Sequence, residues 1–191
     1  MGSAPRGHDL FRYLVLAAVV ACYATLLLGG NVMASDSGLA CPDWPTCHGT
    51  FAPPLSGSTG IEWAHRLSAL VLSLTVGLMT VTALRTEAAR PVLRRLSLLA
   101  LGTVGVQGLL GGAVVASNLT VAVVLLHFGL ATILFGLLLL LAFLANLREI
   151  PRRWVAWAWR AIEDRPGTEA SERPFRSEAP PTPAPTSETG A

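Results

Sequence analysis

The chain has 191 residues, 52% hydrophobic and only 14% charged, with a formal net charge of +2. That small excess identifies no partner by itself. Its clustered placement excludes a nucleic-acid patch and reads as a topology signal instead.

No charged side chain occurs from Tyr13 to Met33, Leu67 to Leu84, Leu96 to Val115 or Val121 to Leu147. Each run is close to the roughly 20 residues that cross a bilayer as a helix. None shows the polar face that a soluble core helix carries at 3.6-residue spacing. The predicted fold is an all-α integral membrane protein, a four-transmembrane-helix bundle with helices at 13–33, 61–84, 96–115 and 121–147. The first run is too long, and begins too far in, for a cleaved signal peptide.

Arginine sets the expected orientation, because the chain contains no lysine. Arg6 and Arg12 lie in the N-terminal segment 1–12, and Arg85, Arg90, Arg94 and Arg95 lie between the second and third helices. Arg148, Arg152, Arg153 and Arg160 follow the fourth. The connections 34–60 and 116–120 hold no basic residue. The positive-inside rule then predicts cytoplasmic N and C termini in a plasma-membrane protein, with those two connections outside. Residues 148–165, with three tryptophans among arginines, read as a cytoplasmic interfacial segment. Residues 166–191, rich in Pro, Thr, Ser, Glu and Ala, read as a disordered tail.

The outer loop 34–60 contains "CPDWPTCHG", Cys41 to Gly49. A c-type haem site needs two residues between its cysteines, whereas five separate Cys41 from Cys47. A structural zinc site needs four ligands, and Cys41, Cys47 and His48 supply three. A disulfide remains, worth about 2 kcal/mol by loop-closure entropy. It reads as a structural staple holding Trp44 and the prolines over the bundle mouth, or as a redox pair exchanging electrons with a thiol partner. Cys22, inside the first helix, reads as an inert packing residue. His8, His48 and Asp43 are expected in solvated loops.

Ionisable residues at membrane depth mark function by default. "IEWAHRLSA" places Glu62, His65 and Arg66 on one face of the second helix. "LLHFG" places His127 at a comparable depth in the fourth. Two imidazoles on two helices suit axial ligation of one haem iron; the plainer reading is interhelical hydrogen bonding, with Glu62 and His65 as an interfacial pair. In the third helix Gly102, Gly105, Gly108 and Gly111 recur every three residues. That groove permits close helix approach or leaves room for a flat macrocycle. Gln107 is expected to face inward.

Taken together, "GGNVMASDSGLACPDWPTCHG", "IEWAHRLSA", "QGLLGGAVVASNL" and "LLHFG" resemble the haem A synthase family in its bacterial cysteine-containing branch, from Gly29 to about Leu147. The resemblance implies oxidation of a methyl group of haem O to a formyl group, for cytochrome oxidase assembly. It makes His65 and His127 the iron ligands of a haem, either haem b or the substrate haem O. Glu62 becomes the acidic residue at the substrate, and Cys41–Cys47 the outer-loop redox pair. Arg66, beside the ligand, is inferred to pair with a propionate. The implied partners are haem O, membrane lipids, haem O synthase and cytochrome oxidase. The family has eight helices in two related halves, and this chain corresponds to one. A homodimer, or pairing with a sister half, is therefore expected. The family generally carries Arg and Thr-Gly where this chain reads Met33, Ser35 and Asp36, which removes one propionate partner. Two rival readings stand beside this one. The first is a non-catalytic bis-His electron-transfer or oxidase-assembly subunit. The second is a thiol–quinone oxidoreductase, which needs a second cysteine pair where this chain has only Cys22.

Overall fold

A computed structural model describes residues 7–86 and 91–146. Residues 1–6, 87–90 and 147–191, and with them Arg90, the interfacial segment and the expected tail, lie outside the described residues. The described chain is all-helical in four elements, α1 (Gly7–Ala34), α2 (Gly57–Arg85), α3 (Pro91–Ala116) and α4 (Val121–Asn146). All four are long and apolar enough to cross a membrane.

The first three helices begin four to six residues before the expected 13, 61 and 96. The charge-free run marks what hydrocarbon tolerates, whereas a helix continues into the polar interface and takes charged residues in its first turns. Thus Asp9 and Arg12 lie within α1, and Arg94 and Arg95 within α3. Pro91 opens α3 because its fixed φ and missing N–H suit the first helical position. His8, expected in a loop, belongs to α1.

The helices form a ring in which each packs on its chain neighbours and α4 closes against α1. Among the described residues, the diagonal pairs α1/α3 and α2/α4 make no close backbone approach. Buried residues recur at alternating steps of four and three: Phe11, Val15, Ala18 and Cys22 in α1, and Leu72, Val76, Met79 and Ala83 in α2. Leu134, Leu138, Leu141 and Ala145 repeat the pattern in α4. Such spacing produces a left-handed seam with knobs-into-holes contacts. All these residues lie at one end of the bundle, the end where α2 meets α3. Large apolar side chains such as Leu74, Leu109, Leu125 and Phe143 stand exposed on the outer faces, as a lipid-facing surface requires.

Side-chain hydrogen bonds also tie neighbouring helices together at that packed end. The Arg12 guanidinium donates to Asn146 Oδ1 from Nε at 2.9 Å and Nη2 at 2.7 Å, tying α1 to α4. The buried Thr80 hydroxyl lies 2.8 Å from the Val76 carbonyl in its own helix and 3.1 Å from the Ser97 carbonyl in α3. Interhelical hydrogen bonds in membrane bundles average about 0.6 kcal/mol. Thr80→Val, which preserves shape, is expected to destabilise the bundle by about that amount, read as a shift of the unfolding equilibrium in mixed micelles.

Candidate functional site

Toward the other end, beyond Cys22, the seam opens into a cavity of about 500 Å³. It falls within the range of roughly 300–1,000 Å³ typical of small-molecule and cofactor sites. Small residues make the space: Gly29 in α1 and Gly108 and Gly111 in α3 line it. His65 and His127 line it too, from the diagonal helices α2 and α4. With 1.5 Å of rise per residue, His65 lies about 12 Å along α2 and His127 about 9 Å along α4 from the loop-side helix ends. The earlier start of α2 brings these depths closer together than the expected helix bounds did.

Each imidazole leans on a glycine of the helix next to its own. A Cβ built at Gly29 would stand 3.0 Å from His65 Cε1, and one at Gly111 would stand 3.6 Å from His127 Cε1. Among the described residues, Nδ1 of both rings is buried without a hydrogen-bond partner, a costly state for a polar atom in an apolar wall. Gln107, nine-tenths buried, donates from Nε2 to the His127 carbonyl oxygen at 3.0 Å and so pins α3 to α4 at that residue. Its inward placement matches the sequence expectation.

Glu62 and Arg66, one turn apart on α2, form an ion pair with Arg66 Nε 2.9 Å from Glu62 Oε1. Both line the cavity, and both are nearly buried, at 7% and 11% side-chain exposure. Glu62 Oε1 is engaged by arginine, while among the described residues no hydrogen bond reaches Oε2. The remaining Arg66 bonds run to the loop: Nη1 to the carbonyls of Asp43 and Thr46, both at 2.6 Å, and Nη2 to that of Cys41 at 3.0 Å. Four of the five guanidinium hydrogens are thereby used within the protein. The fifth remains for a propionate, so the pairing inferred for Arg66 from sequence stands beside its clamp on the loop.

The loop is a built object. Cys41 and Cys47 are joined by a disulfide, their Cα atoms 4.6 Å apart, and both residues are fully buried. Trp63, the residue after Glu62, packs with them in a small apolar cluster. Asp43 Oδ1 accepts from the His48 amide at 2.6 Å, and Oδ2 accepts from the Gly49 amide at 2.9 Å and from the Thr46 hydroxyl. Asp43 lies in a solvent-accessible loop as expected, and there it closes the loop on itself. Thr46, then the Gly49 and His48 amides, hold its carboxyl down from 3.8 to about 2. A depressed carboxylate keeps its ties above the ordinary value and loses them as pH falls through the lowered one. The amide signals of His48 and Gly49 are expected to stay fixed from pH 7 to about 4 and to move together near pH 2, and Asp43→Asn should abolish that titration.

The loop packs at two glycines, one of α3 and one of its own. Trp44 lies against Gly112 of α3, where a Cβ would stand 3.1 Å from the ring, and Leu119 lies against Gly38 with a corresponding 3.0 Å. Trp44 and Phe51 line the cavity at this end. Sequence reasoning singled out Glu62, His65, Arg66, His127 and the cysteine pair, and the fold gathers all six at one end of the bundle. It missed Gly29, Trp63 and the knot around Asp43. The only available signals were the Gly29-Gly30 pair and an Asx-type turn within the loop.

The fold and site define a membrane-spanning four-helix bundle with a histidine pair on diagonal helices and a buried carboxylate in the cavity between them. The chain belongs to the family described as cytochrome oxidase assembly protein, which matches residues 12–164. It is 34% identical over 138 residues to a haem A synthase of Bacillus pumilus, covering 69% of this chain and 44% of the relative. It is 38% identical over 134 residues to a haem A synthase of Symbiobacterium thermophilum, covering 68% and 42%. It is 31% identical over 153 residues to one from Geobacillus thermodenitrificans, covering 80% and 48%. The chain thus spans less than half the length of these curated relatives.

Proposed function

We propose that the protein is a haem A synthase-like oxidoreductase that converts a methyl group of haem O to a formyl group for cytochrome oxidase. The observation that carries this reading is the convergence of His65, His127 and Glu62 on one cavity. The donor set fits a haem. Two imidazoles face the space from opposite sides of the ring, glycines stand where side chains would fill it, and most of the remaining wall is apolar. His65 and His127 would hold the iron. The group when bound, haem b or the substrate haem O, supplies a redox-active iron for the oxidation.

The chain's own residues do the rest. Glu62 Oε2, without a hydrogen bond among the described residues, would hold or move a proton at the substrate edge. Arg66 occupies Oε1 and fixes the carboxylate plane. Trp44 and Phe51 restrict water at the mouth. The N terminus and the α2–α3 connection face the cytoplasm in this reading, and the disulfide loop within 34–60 lies outside the plasma membrane. A second copy of the chain in a C2 pair, or a sister half, completes the electron path between two such sites.

The deciding test is production. The gene is expressed in a bacterium that makes haem O but not haem A, and the membrane haems are extracted. Haem A in the wild-type extract supports the proposal. Bound haem b with no haem A would replace it with a non-catalytic bis-His subunit.

A further inference from the structure

We infer that Arg66 is a positioning residue through which the closed disulfide ring of the outer loop sets the placement of Glu62. The three loop carbonyls that Arg66 grips belong to Cys41, Asp43 and Thr46. All three lie in the segment that the Cys41–Cys47 bond closes into a ring. They converge because the ring curls, and a planar guanidinium has one orientation that serves all of them. That orientation also directs Nε–H at Glu62 Oε1. Charge-assisted hydrogen bonds are about twice as strong as neutral ones, and here they lie away from water. The ring, the arginine and the carboxylate therefore behave as one unit.

The chemistry at the far end of this unit is simple. A dithiol reductant gives two electrons and two protons to the cystine. The S–S bond breaks, two thiols form, and the dithiol closes to its own disulfide. Both cysteines are fully buried beneath Trp63 and the clamp, so reduction requires the loop to open. Once open, the carbonyls no longer converge, the guanidinium turns away, and Glu62 loses its partner. The oxidation state of an exterior loop is thereby registered at a carboxylate inside the cavity. The link to catalysis rests on the proposed function; the structural coupling does not.

The test follows Glu62 directly. The full chain in membranes is treated with dicyclohexylcarbodiimide, which attacks carboxyl groups in apolar surroundings, and the Glu62 peptide is quantified by mass spectrometry. Dithiothreitol-treated and untreated samples are compared, with maleimide additions confirming complete reduction. Reduction, or Arg66→Met, is expected to raise labelling about tenfold, the equivalent of one hydrogen bond to a charged group. Reducing Arg66→Met should add nothing further, and Arg66→Lys should restore part of the protection. Unchanged labelling after full reduction of the wild type, which needs no variant to fold, overturns the inference; additive effects of reduction and substitution do the same. Because labelling requires no haem, its failure beside retained haem A synthesis sinks the coupling alone. Retained coupling without haem A sinks the functional reading alone.

Discussion

Replacing His65 or His127 with alanine is expected to remove the bis-imidazole spectrum of the purified, haem-supplied protein and to lower haem retention by more than roughly 10–100-fold. That range is what the loss of mere supporting contacts around a metal ligand costs, and an iron ligand is worth more. The two substitutions should act alike, because the rings line one cavity from diagonal helices and both ligate the iron in the proposed site. Gly29→Val provides a check that leaves both histidines in place. Its side chain would enter the space 3.0 Å from His65 Cε1 and push the ring off its seat. The expected result is a shifted or mixed-spin spectrum with a folded bundle, since the packed seam from Phe11 to Cys22 lies further along α1. A wild-type protein that stays colourless with haem in excess would remove the basis for all three.

Glu62→Gln is the second large effect. The substitution keeps the shape and the contact with Arg66 but cannot hold or release a proton. Positioned acid–base groups contribute about 10²–10⁴-fold to rate, so haem A yield is expected to fall by about a hundredfold or more while bound haem persists. Extraction of total haems from the expressing strain measures both quantities at once. Equal haem A from Glu62→Gln and wild type would assign the carboxylate a structural part only, as the holder of Arg66. The contrast with the histidine variants is the informative feature: they should lose pigment, and Glu62→Gln should lose product.

Much of this site was legible because a bilayer punishes unexplained polarity. Glu62, His65 and Arg66 stand out as ionisable residues at the head of an apolar run, and His127 as the one such residue in its helix. Their spacing predicts a common face, and the cavity lining bears that out. The loop clamp made by Arg66 was not legible. Its partners are main-chain carbonyls 20 to 25 residues away, and carbonyl direction leaves no mark in residue type. The contacts of Asp43 were hidden for a related reason. A lone acidic residue between prolines reads as solvated, and residue type does not show that the backbone turns neighbouring amides toward it.

By itself the sequence determined four apolar spans and which polar residues fall within them, because those depend only on length, charge and residue order. It also carried the family resemblance, through motifs of local residue order. The tertiary structure alone decided that α2 and α4 are diagonal and that glycines of α1 and α3 seat the imidazoles. It alone showed that the disulfide is buried under an arginine clamp. Those facts depend on which helix faces which, and uniformly apolar outer surfaces do not encode a rotation. That angle is settled only when the buried seams interlock and the few polar groups find partners.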